Sequence, residues 1–438
     1  MTWPRYLWPL VAACCAGVTL AGAGEPHFSS ELRFNAFGYR HDSEREADNS
    51  AFESDLRLDV SGSRGDHLRY RVVPQVRFDT TDRSDPWTIE WEEDGADRPL
   101  LTVHEAVLAW YGDRVEWVVG KQFFDWGSGD GFKPADNLNP YDWVDLPIAE
   151  KIGVSALSLY RFGESFDAQL VLVPWFTPAR LPAADNRWLP SDAPLREAYR
   201  RAVGSDPVVV DGGHERPAHA TDTIQAAARL ASSTLVTGWD LALTFYSGHD
   251  SIGVLRTDAV PPDLVVTRVH PAYTEVGLSV ATTLGEWSLH AEAAWHDTDE
   301  RMLDDDYIEY VAGLNRTWYA PLANALERIT LSLEYAGETV TRSRPADSPY
   351  TGAAFARGLT GAVLGHIELQ WTERVGLEIA GAVNVEAGDF RVKPSLAYEP
   401  VDGVELEAGI DIFEGPCDSF FGGWDRNDRV YLLATVRF

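Results

Sequence analysis

The stretch RVYLLATVRF, residues 429–438, alternates as a β-strand does when its two faces meet different surroundings. Successive side chains of a strand point to opposite faces. One face carries Val430, Leu432, Ala434, Val436 and Phe438, and the other carries Tyr431, Leu433, Thr435 and Arg437. An apolar face that ends in Phe438 is typical of a barrel strand whose outside meets lipid and whose end lies in an aromatic girdle. Soluble strands also alternate, so the pattern has to recur along the chain before it predicts a membrane barrel.

The composition of the 438-residue chain fits such a barrel. It contains 16 Trp, 16 Tyr and 18 Phe, yet its mean hydropathy is mildly negative. That combination is expected when apolar residues face outward and polar residues face a wet interior. The net charge of −31, from 68 acidic and 37 basic residues, argues against a nucleic-acid partner. It predicts a field that favours cations or neutral solutes in any pore. The alternative is that acidic surface loops only keep the protein soluble.

Residues 1–23 are typical of a secretory signal peptide. Arg5 gives a positive start, an apolar run spans 7–20, and AGA at 21–23 forms a small-x-small cleavage site. A lipoprotein signal with Cys14 acylated is the alternative. Either signal predicts export from the cytoplasm.

The mature part, residues 24–438, is predicted to be a single domain because no repeat, linker or low-complexity tract divides it. It keeps Cys417 as its single cysteine, so no intrachain disulfide is possible there. No later apolar run has the length of a transmembrane helix.

Segments of about ten residues with a period of two, the length of a tilted membrane strand, recur along the mature chain. The clearest is 67–80, in which Pro74 removes a hydrogen-bond donor and predicts a local bulge. The predicted strands are 28–41, 51–61, 67–80, 101–110, 115–122, 153–161, 166–176, 222–231, 235–247, 264–284, 286–297, 306–318, 327–340, 354–371, 375–386, 389–399, 404–413 and 429–438. Arg is predicted to be costly at outward Leu333 and tolerated at inward Ser332.

The connectors divide into two classes of length. Long ones follow odd strands, at 81–100, 123–152, 177–221, 248–263, 341–353 and 414–428. Short ones follow even strands, at 62–66, 111–114, 162–165, 232–234, 285, 372–374 and 400–403. Long extracellular loops and short periplasmic turns are the outer-membrane pattern, whereas a soluble β-sandwich has no such division. The sequence therefore predicts an all-β fold: a closed antiparallel transmembrane β-barrel of 18 strands, with 16 remaining possible.

The segment VGKQFFDWGSGDGFKPADNLNPYDWVD, residues 119–145, stands apart by its content of Gly, Asp, Asn, Pro and Trp. GKQ followed by Trp-Gly and PADNLNPYD resembles a loop of porin-like outer-membrane barrels related to the alginate-export porins. The terminal Phe438 behind alternating apolar residues resembles the C-terminal assembly signal of bacterial outer-membrane barrels. The resemblance implies a closed barrel that passes or exports a solute, with inward-folded loops that narrow the lumen.

This loop has three possible roles. Its charged side chains would narrow a pore and set its charge preference, and its aromatic faces would offer apolar surface to sugar rings. Its Asp and Asn residues also suggest a hard cation such as Ca²⁺, although the spacing does not fit a calcium loop. A structural plug closed by turn residues is the remaining alternative. The candidate constriction or solute-binding residues here are Lys121, Asp125, Trp126, Asp130, Lys133, Asp136, Tyr141 and Asp142, with Phe132 and Trp143 as further aromatic faces.

A second candidate surface is a basic wall on the inward faces of the first and last strands. Its members are Arg57, Arg69, Arg71, Arg77, Arg391, Lys393 and Arg437. Acidic residues lie on the same strands, at Glu53, Asp55, Asp59, Glu405, Glu407 and Asp411. Opposed walls of this kind would create a transverse field that orients polar solutes. The alternative is mutual pairing between neighbouring strands.

Catalysis is not predicted. No GxSxG or HExxH motif is present, and no histidine lies in a local motif beside a serine. His290, Glu292 and His296 share a polar face and are a conceivable metal site, but a lone inward histidine is more often solvated. No cofactor is predicted.

The sequence thus predicts a bacterial outer-membrane porin or channel for small hydrophilic solutes or oligosaccharides. Its selectivity would lie in the 123–151 loop and the basic wall. The expected partners are outer-membrane lipid and lipopolysaccharide, the barrel-assembly machinery through the Phe438 strand, and the solute. Two alternatives remain open: a plugged receptor or structural barrel, and a secreted soluble β-protein.

Overall fold

The structure is a computed structural model that describes residues 26–438 except 44, 47, 81–83, 92, 94, 96, 218–222, 301, 322–324 and 353–356. The predicted signal peptide at 1–23 lies outside the described residues. The strands in chain order are β1 (His27–Tyr39), β2 (Ser50–Arg64), β3 (Leu68–Asp79), β4 (Ser84–Glu90), β5 (Arg98–Tyr111), β6 (Val115–Gln122), β7 (Tyr141–Asp142), β8 (Glu150–Lys151), β9 (Val154–Arg161), β10 (Asp167–Val173), β11 (Val208–Glu215), β12 (Gln225–Val236), β13 (Trp239–His249), β14 (Val254–Val260), β15 (Asp263–Val269), β16 (Ala272–Leu284), β17 (Trp287–Thr298), β18 (Asp306–Tyr319), β19 (Arg328–Arg342), β20 (Tyr350–Gly352), β21 (Gly361–Thr372), β22 (Val375–Asn384), β23 (Asp389–Val401), β24 (Val404–Glu414) and β25 (Arg429–Arg437). A helix, α1, spans Ala193–Val203, and 3₁₀ turns span Leu146–Ile148 and Gly422–Asn427.

All strands except β4, β7, β8, β11, β14, β15 and β20 form one antiparallel ring, which has eighteen strands in the described part of the chain. Each pairs with the next ring strand along the chain, and β1 pairs with β25 from Glu31 opposite Arg437 to Tyr39 opposite Arg429. The backbone N–H of Ser30 donates to the carbonyl of Phe438 at 2.7 Å across the same seam. The predicted closed barrel is confirmed, and the count is 18 rather than 16.

The alternation read from the sequence places one face of each strand outside and the other inside. On β19, Leu333 is 44% exposed and Tyr335 46% exposed, whereas the intervening Glu334 is 2% exposed. The same outward surface recurs around the ring, for example at Leu170, Leu243 and Leu278. A continuous apolar outer face is costly in water and suits contact with hydrocarbon.

The predicted bulge at Pro74 is present. The register between β3 and β5 shifts between Val73 and Pro74. Pro74 has no backbone N–H to donate to the neighbouring strand. The extra residue of the bulge therefore lies where a hydrogen-bond donor is already missing.

Two parts of the predicted strand pattern are wrong. The short turn predicted at 232–234 lies within β12, which ends at Val236, so the turn to β13 falls at 237–238. The segment 264–284 is two elements, because β15 ends at Val269 and β16 begins at Ala272, on either side of Pro271. β16 pairs with β13 in the barrel. β15 joins β11, β14 and β20 in a separate sheet built from the long connectors. The strand predicted at 354–371 begins at Gly361, and part of its predicted start lies outside the described residues. Among the described residues, no helix has the length and apolarity required to cross a bilayer.

Candidate functional site

The connector between β6 and β9, residues 123–153, turns into the barrel; we call it the inward loop. Near its start, Phe124 and Trp126 join a buried apolar cluster with Val173 of β10 and Tyr246 of β13. This packing anchors the loop to one wall and directs the following residues across the lumen. We call residues 127–137 the loop tip and residues 139–153 the loop base.

The loop tip is held by carboxylates on the far wall. Glu292 of β17 accepts hydrogen bonds from the backbone N–H of Ser128 (2.7 Å) and of Ala135 (2.8 Å). Glu334 of β19 accepts from the backbone N–H of Asp130 (2.7 Å) and of Gly131 (2.8 Å). Hydrogen bonds to an ionised acceptor are about twice as strong as neutral ones. These four contacts position the tip through its backbone N–H groups.

Glycine is required where the tip approaches Glu292. Gly127 has φ +108°, and a Cβ there would lie 2.6 Å from Oε2 of Glu292. A side chain would strain the backbone and collide with the carboxylate that anchors the tip.

The loop base is held by the opposite arrangement, in which the loop supplies the carboxylates, and arginines of the barrel and of the connector after β10 supply the cations. Asp142 accepts from Arg98 Nε at 2.9 Å and from Arg180 Nη1 at 2.8 Å, and Arg77 lies 3.5 Å away. Burial acts to raise the pKa of the Asp142 carboxyl, but the guanidinium groups of Arg98 and Arg180 outweigh it and hold that pKa well below its ordinary value.

Two further carboxylates continue this clamp along the base. Glu150 pairs with Arg33 at 2.6 Å and also with Arg57. Burial acts to raise the pKa of Glu150, but Arg57 and the neighbouring arginines lower it overall. Asp145 pairs with Arg429 at 2.7 Å, and that arginine also reaches Asp411 of β24 at 2.9 Å.

A cavity of about 1240 Å³ lies between the inward loop and the wall formed by β17 to β23. Loop aromatics line one side, where Tyr141 and Trp143 have ring centroids 5.2 Å apart. Burial, together with nearby Asp136 and Asp125, raises the pKa of Tyr141 to about 12, which keeps its phenol neutral. The other side presents polar wall residues such as Thr330 and His366.

Part of the predicted site lines this cavity. From the loop these are Asp125, Asp130, Lys133, Asp136 and Tyr141, and from the wall Arg391 and Lys393. Most of their charges are locally paired: Lys133 with Asp125 at 2.6 Å, Arg391 with Asp411 at 2.8 Å, and Lys393 with Glu407 at 3.3 Å. Asp136 is paired with Lys151 of the loop base.

Other predicted site residues lie away from the cavity. Lys121 is buried on β6 and donates to Glu93 at 2.8 Å. Trp126 is 4% exposed, and its indole N–H donates to Gln169 at 3.1 Å, so its face is not presented to the cavity. Asp142 belongs to the buried clamp described above.

The basic wall is largely neutralised, as the pairing alternative predicts. Arg57 pairs with Asp55 at 3.2 Å, Arg71 with Asp59 at 2.7 Å, and Arg437 with Glu31 at 2.9 Å. Arg77 lies 3.5 Å from Asp55, Asp142 and Glu150. Arg69 lies over the ring of Tyr111, 4.7 Å from its centroid. The wall's basic residues on β2 and β3 thus bind mainly the loop base and neighbouring strands.

The conceivable metal site of His290, Glu292 and His296 does not assemble. His290 contacts Glu334, Glu292 binds the loop tip, and His296 lies between Glu275 (3.7 Å) and Glu309 (3.5 Å). The loop aspartates proposed for Ca²⁺ are also dispersed among different partners, as the preceding contacts show.

The sequence does not single out the residues that hold the loop. Glu292 stands there only as a conceivable metal ligand, and no local pattern marks Glu275, Glu334, Arg98 or Arg180. An available signal is the recurrence of glutamate on the polar faces of β16, β17 and β19. Asn137 of the tip donates to Glu275, which completes the set.

No protein-family model matches the chain, and no curated protein matches it. Among solved structures, Pseudomonas aeruginosa OccD3 (OpdP) is similar, with 10% identity, a TM-score of 0.51, and coverage of 95% of this chain and 93% of that one. Pseudomonas aeruginosa OccK11 (OpdR) is similar with 10% identity, a TM-score of 0.50, and coverage of 94% and 96%. A mutant of Rhodopseudomonas blastica porin aligns with 11% identity, a TM-score of 0.43, and coverage of 94% and 100%. The two Pseudomonas structures support the barrel fold at this level of similarity.

Proposed function

We propose that the chain is a bacterial outer-membrane porin that passes small hydrophilic solutes along the cavity beside the inward loop. The single observation that carries this proposal is the closed ring with an apolar outside and a polar cavity inside. An unpaired backbone group costs roughly several kcal/mol in hydrocarbon. A protein made of β-strands therefore enters a bilayer only as a closed barrel. The seam between β1 and β25 supplies that closure.

The lining of the cavity favours neutral or cationic solutes. Among the described residues, eight carboxylates line it, including Asp250, Asp304, Glu309 and Glu378, against five lysines and arginines. Rings of carboxylates favour cations in a pore. An oligosaccharide is a candidate solute, because Tyr141 and Trp143 would supply flat apolar faces for its rings.

The proposed setting is the outer membrane, with lipid and lipopolysaccharide around the apolar face and the β25 strand as the signal to the assembly machinery. Exposed aromatic residues near the short-turn rim, including Trp110, Phe162 and Trp239, suit an interfacial girdle. Two arginine substitutions on β19 test this setting. Leu333→Arg should destabilise the barrel in lipid by about 2–4 kcal/mol, whereas Thr330→Arg, which faces the cavity, should be tolerated. Equal costs at the two positions would contradict the proposal.

Ser332 is not a suitable inward control, contrary to the prediction from sequence. Its hydroxyl donates to Oδ2 of Asp130 at 3.0 Å, and it is 9% exposed. An arginine there would displace the loop tip, so its cost would report on the loop and not on the membrane.

A plugged barrel is the second candidate function, because the inward loop is anchored at both the tip and the base. Planar-bilayer recordings on the purified, folded protein with a panel of salts and sugars separate the two candidates. We expect discrete current steps with cation preference, and their absence would favour the plug.

Replacing residues 127–137 with a short Gly-Ser linker should raise the single-channel current. An unchanged current would show that the tip does not limit the pore. Folding in buffer without detergent would instead favour a secreted soluble protein.

A further inference from the structure

Three side chains of metal-ligating type meet where the loop tip touches the wall. They are Asp130 of the tip, His290 of β17 and Glu334 of β19, and their ligand atoms all lie within 4.8 Å of one another. Nε2 of His290 lies 2.7 Å from Oε1 of Glu334. Zinc bonds to imidazole nitrogen and carboxylate oxygen are about 2.0–2.2 Å long, so two ligand atoms of one ion lie roughly 3–4 Å apart. The three groups lie close to this spacing, and small rotations of their side chains would bring the ligand atoms to it.

The His290–Glu334 contact depends on a gap in the strand between them. His290 is opposite Gly313 of β18, and Gly313 is opposite Glu334 of β19. A Cβ on Gly313 would lie 2.5 Å from Nε2 of His290 and 2.7 Å from Cγ of Glu334. Two side chains on strands that are not neighbours meet only because the middle strand presents no side chain there.

The remaining contacts orient the metal-ligating groups and leave the carboxylate of Asp130 accessible. The backbone N–H groups of Asp130 and Gly131 fix the Glu334 carboxylate, and the Ser332 hydroxyl fixes Oδ2 of Asp130. Hydrogen-bonded partners of this kind orient first-shell ligands at protein metal sites. Asp130 is exposed and lines the cavity, so an ion in the lumen reaches the cluster without passing through the barrel wall.

We propose that Asp130, His290 and Glu334 bind one divalent first-row transition ion, for which Zn²⁺ is the probe, and that the ion ties the loop tip to β17 and β19. One imidazole nitrogen and two carboxylate oxygens suit Zn²⁺ or Ni²⁺ better than the all-oxygen sets that Ca²⁺ and Mg²⁺ prefer. Water would occupy the remaining coordination positions. The competing interpretation is a metal-independent ion pair between His290 and Glu334.

Equilibrium binding of Zn²⁺ to the full-length barrel in detergent, measured by competition with a chromophoric chelator, distinguishes the two. We expect one ion per chain, with binding weakened at least about tenfold in His290→Gln and in Asp130→Asn, since each removes a direct ligand and even second-shell changes cost about 10- to 100-fold. His366→Gln is the matched control, because His366 also lines the cavity but pairs with Glu378 at 3.3 Å. It should bind Zn²⁺ as the wild type does.

The proposal is overturned if the wild type binds no Zn²⁺, or if His290→Gln and Asp130→Asn bind it as tightly as the wild type. Asp130→Asn keeps the exposed tip nearly isosteric, so it remains informative should His290→Gln fail to fold. Neither measurement depends on conductance, so failure of the metal site and failure of the porin proposal are separable.

Hydrogen exchange tests whether the ion holds the loop tip against β17 and β19. Zn²⁺ should slow exchange of the backbone N–H groups of residues 128–135 in the wild type and leave them unchanged in Asp130→Asn. Exchange that does not respond to Zn²⁺ in the wild type would contradict the role of the ion in holding the tip.

Discussion

The two ends of the inward loop are held by opposite means. At the tip, the barrel wall supplies the carboxylates of Glu292 and Glu334, and the loop supplies backbone N–H groups. At the base, the loop supplies Asp142 and Glu150, and arginine side chains supply the positive charge. The tip attachment therefore depends mainly on the shape of the loop backbone, with side-chain contacts added at Asp130 and Asn137. The base attachment depends on particular loop side chains. Substitutions in the loop should disturb the base more than the tip, and substitutions in the far wall the reverse.

The largest expected effect is at the base. Asp142→Asn would leave the buried guanidinium groups of Arg98 and Arg180 without their shared counter-charge. Removing one partner from a buried ion pair costs about 3–5 kcal/mol. The free energy of unfolding in lipid vesicles, measured by urea titration, should fall by this amount. A loss below about 1 kcal/mol, the range of an exposed pair, would show that the base is not the stronger attachment.

The next effect is at the tip. Glu292→Gln keeps the shape of the side chain, but one amide oxygen cannot replace a carboxylate that accepts from both Ser128 and Ala135. Leaving one buried N–H unpaired costs about 1–3 kcal/mol. Hydrogen exchange at Ser128 and Ala135 should accelerate while exchange at Val144 in the base stays unchanged. Glu309→Gln is the control, since Glu309 also lines the cavity but contacts His296; an equal acceleration there would contradict the assignment.

Mild acid should disturb the loop base less than either of these substitutions. The pKa values of Asp142 and Glu150 are both lowered, so their stabilisation is fully present above the ordinary carboxyl pKa of about 4 and is lost only as the pH falls below it. Exchange of the Val144 amide, corrected for its intrinsic pH dependence, should stay constant from about pH 7 to about pH 5. Release of the base within that range would show that these carboxylates are not the anchors.

The smallest expected effect comes from an exposed pair between the two attachments. Asp125 binds Lys133 at 2.6 Å, but its side chain is 71% exposed. Asp125→Asn should change the free energy of unfolding by less than about 1 kcal/mol. Because Asp125 lines the cavity, the reversal potential under a salt gradient should still shift toward lower cation preference. A stability loss as large as that of Asp142→Asn would erase the distinction between exposed and buried pairs.

The sequence predicted the barrel well because its signal is repeated. Each strand carries the same two-residue period, and Phe438, directly after the closing strand, pairs with Ser30 at the seam. The largest strand error arises at Pro271, where an apolar run continues across a break between two sheets. Local periodicity contains no information on which sheet a segment joins.

The candidate site was less predictable because its contacts are long-range. The position of the loop was evident from its composition, but Ser128 and Glu292 are 164 residues apart in the chain. Contacts made by backbone N–H groups also leave no mark in the side-chain sequence of the loop. Trp126 shows the opposite error: an aromatic residue in a candidate pore loop was expected to face solute, yet it packs in the apolar cluster that anchors the loop.

The seam between β1 and β25 has a consequence for biogenesis. Ser30 and Phe438 are paired although 408 residues separate them, so every intermediate that lacks β25 has two open sheet edges. The open edges of such an intermediate could pair with other strands of the same chain or of a second chain. Both edges stay open until β25 pairs, so insertion of the strands and closure of the ring are expected to be coupled.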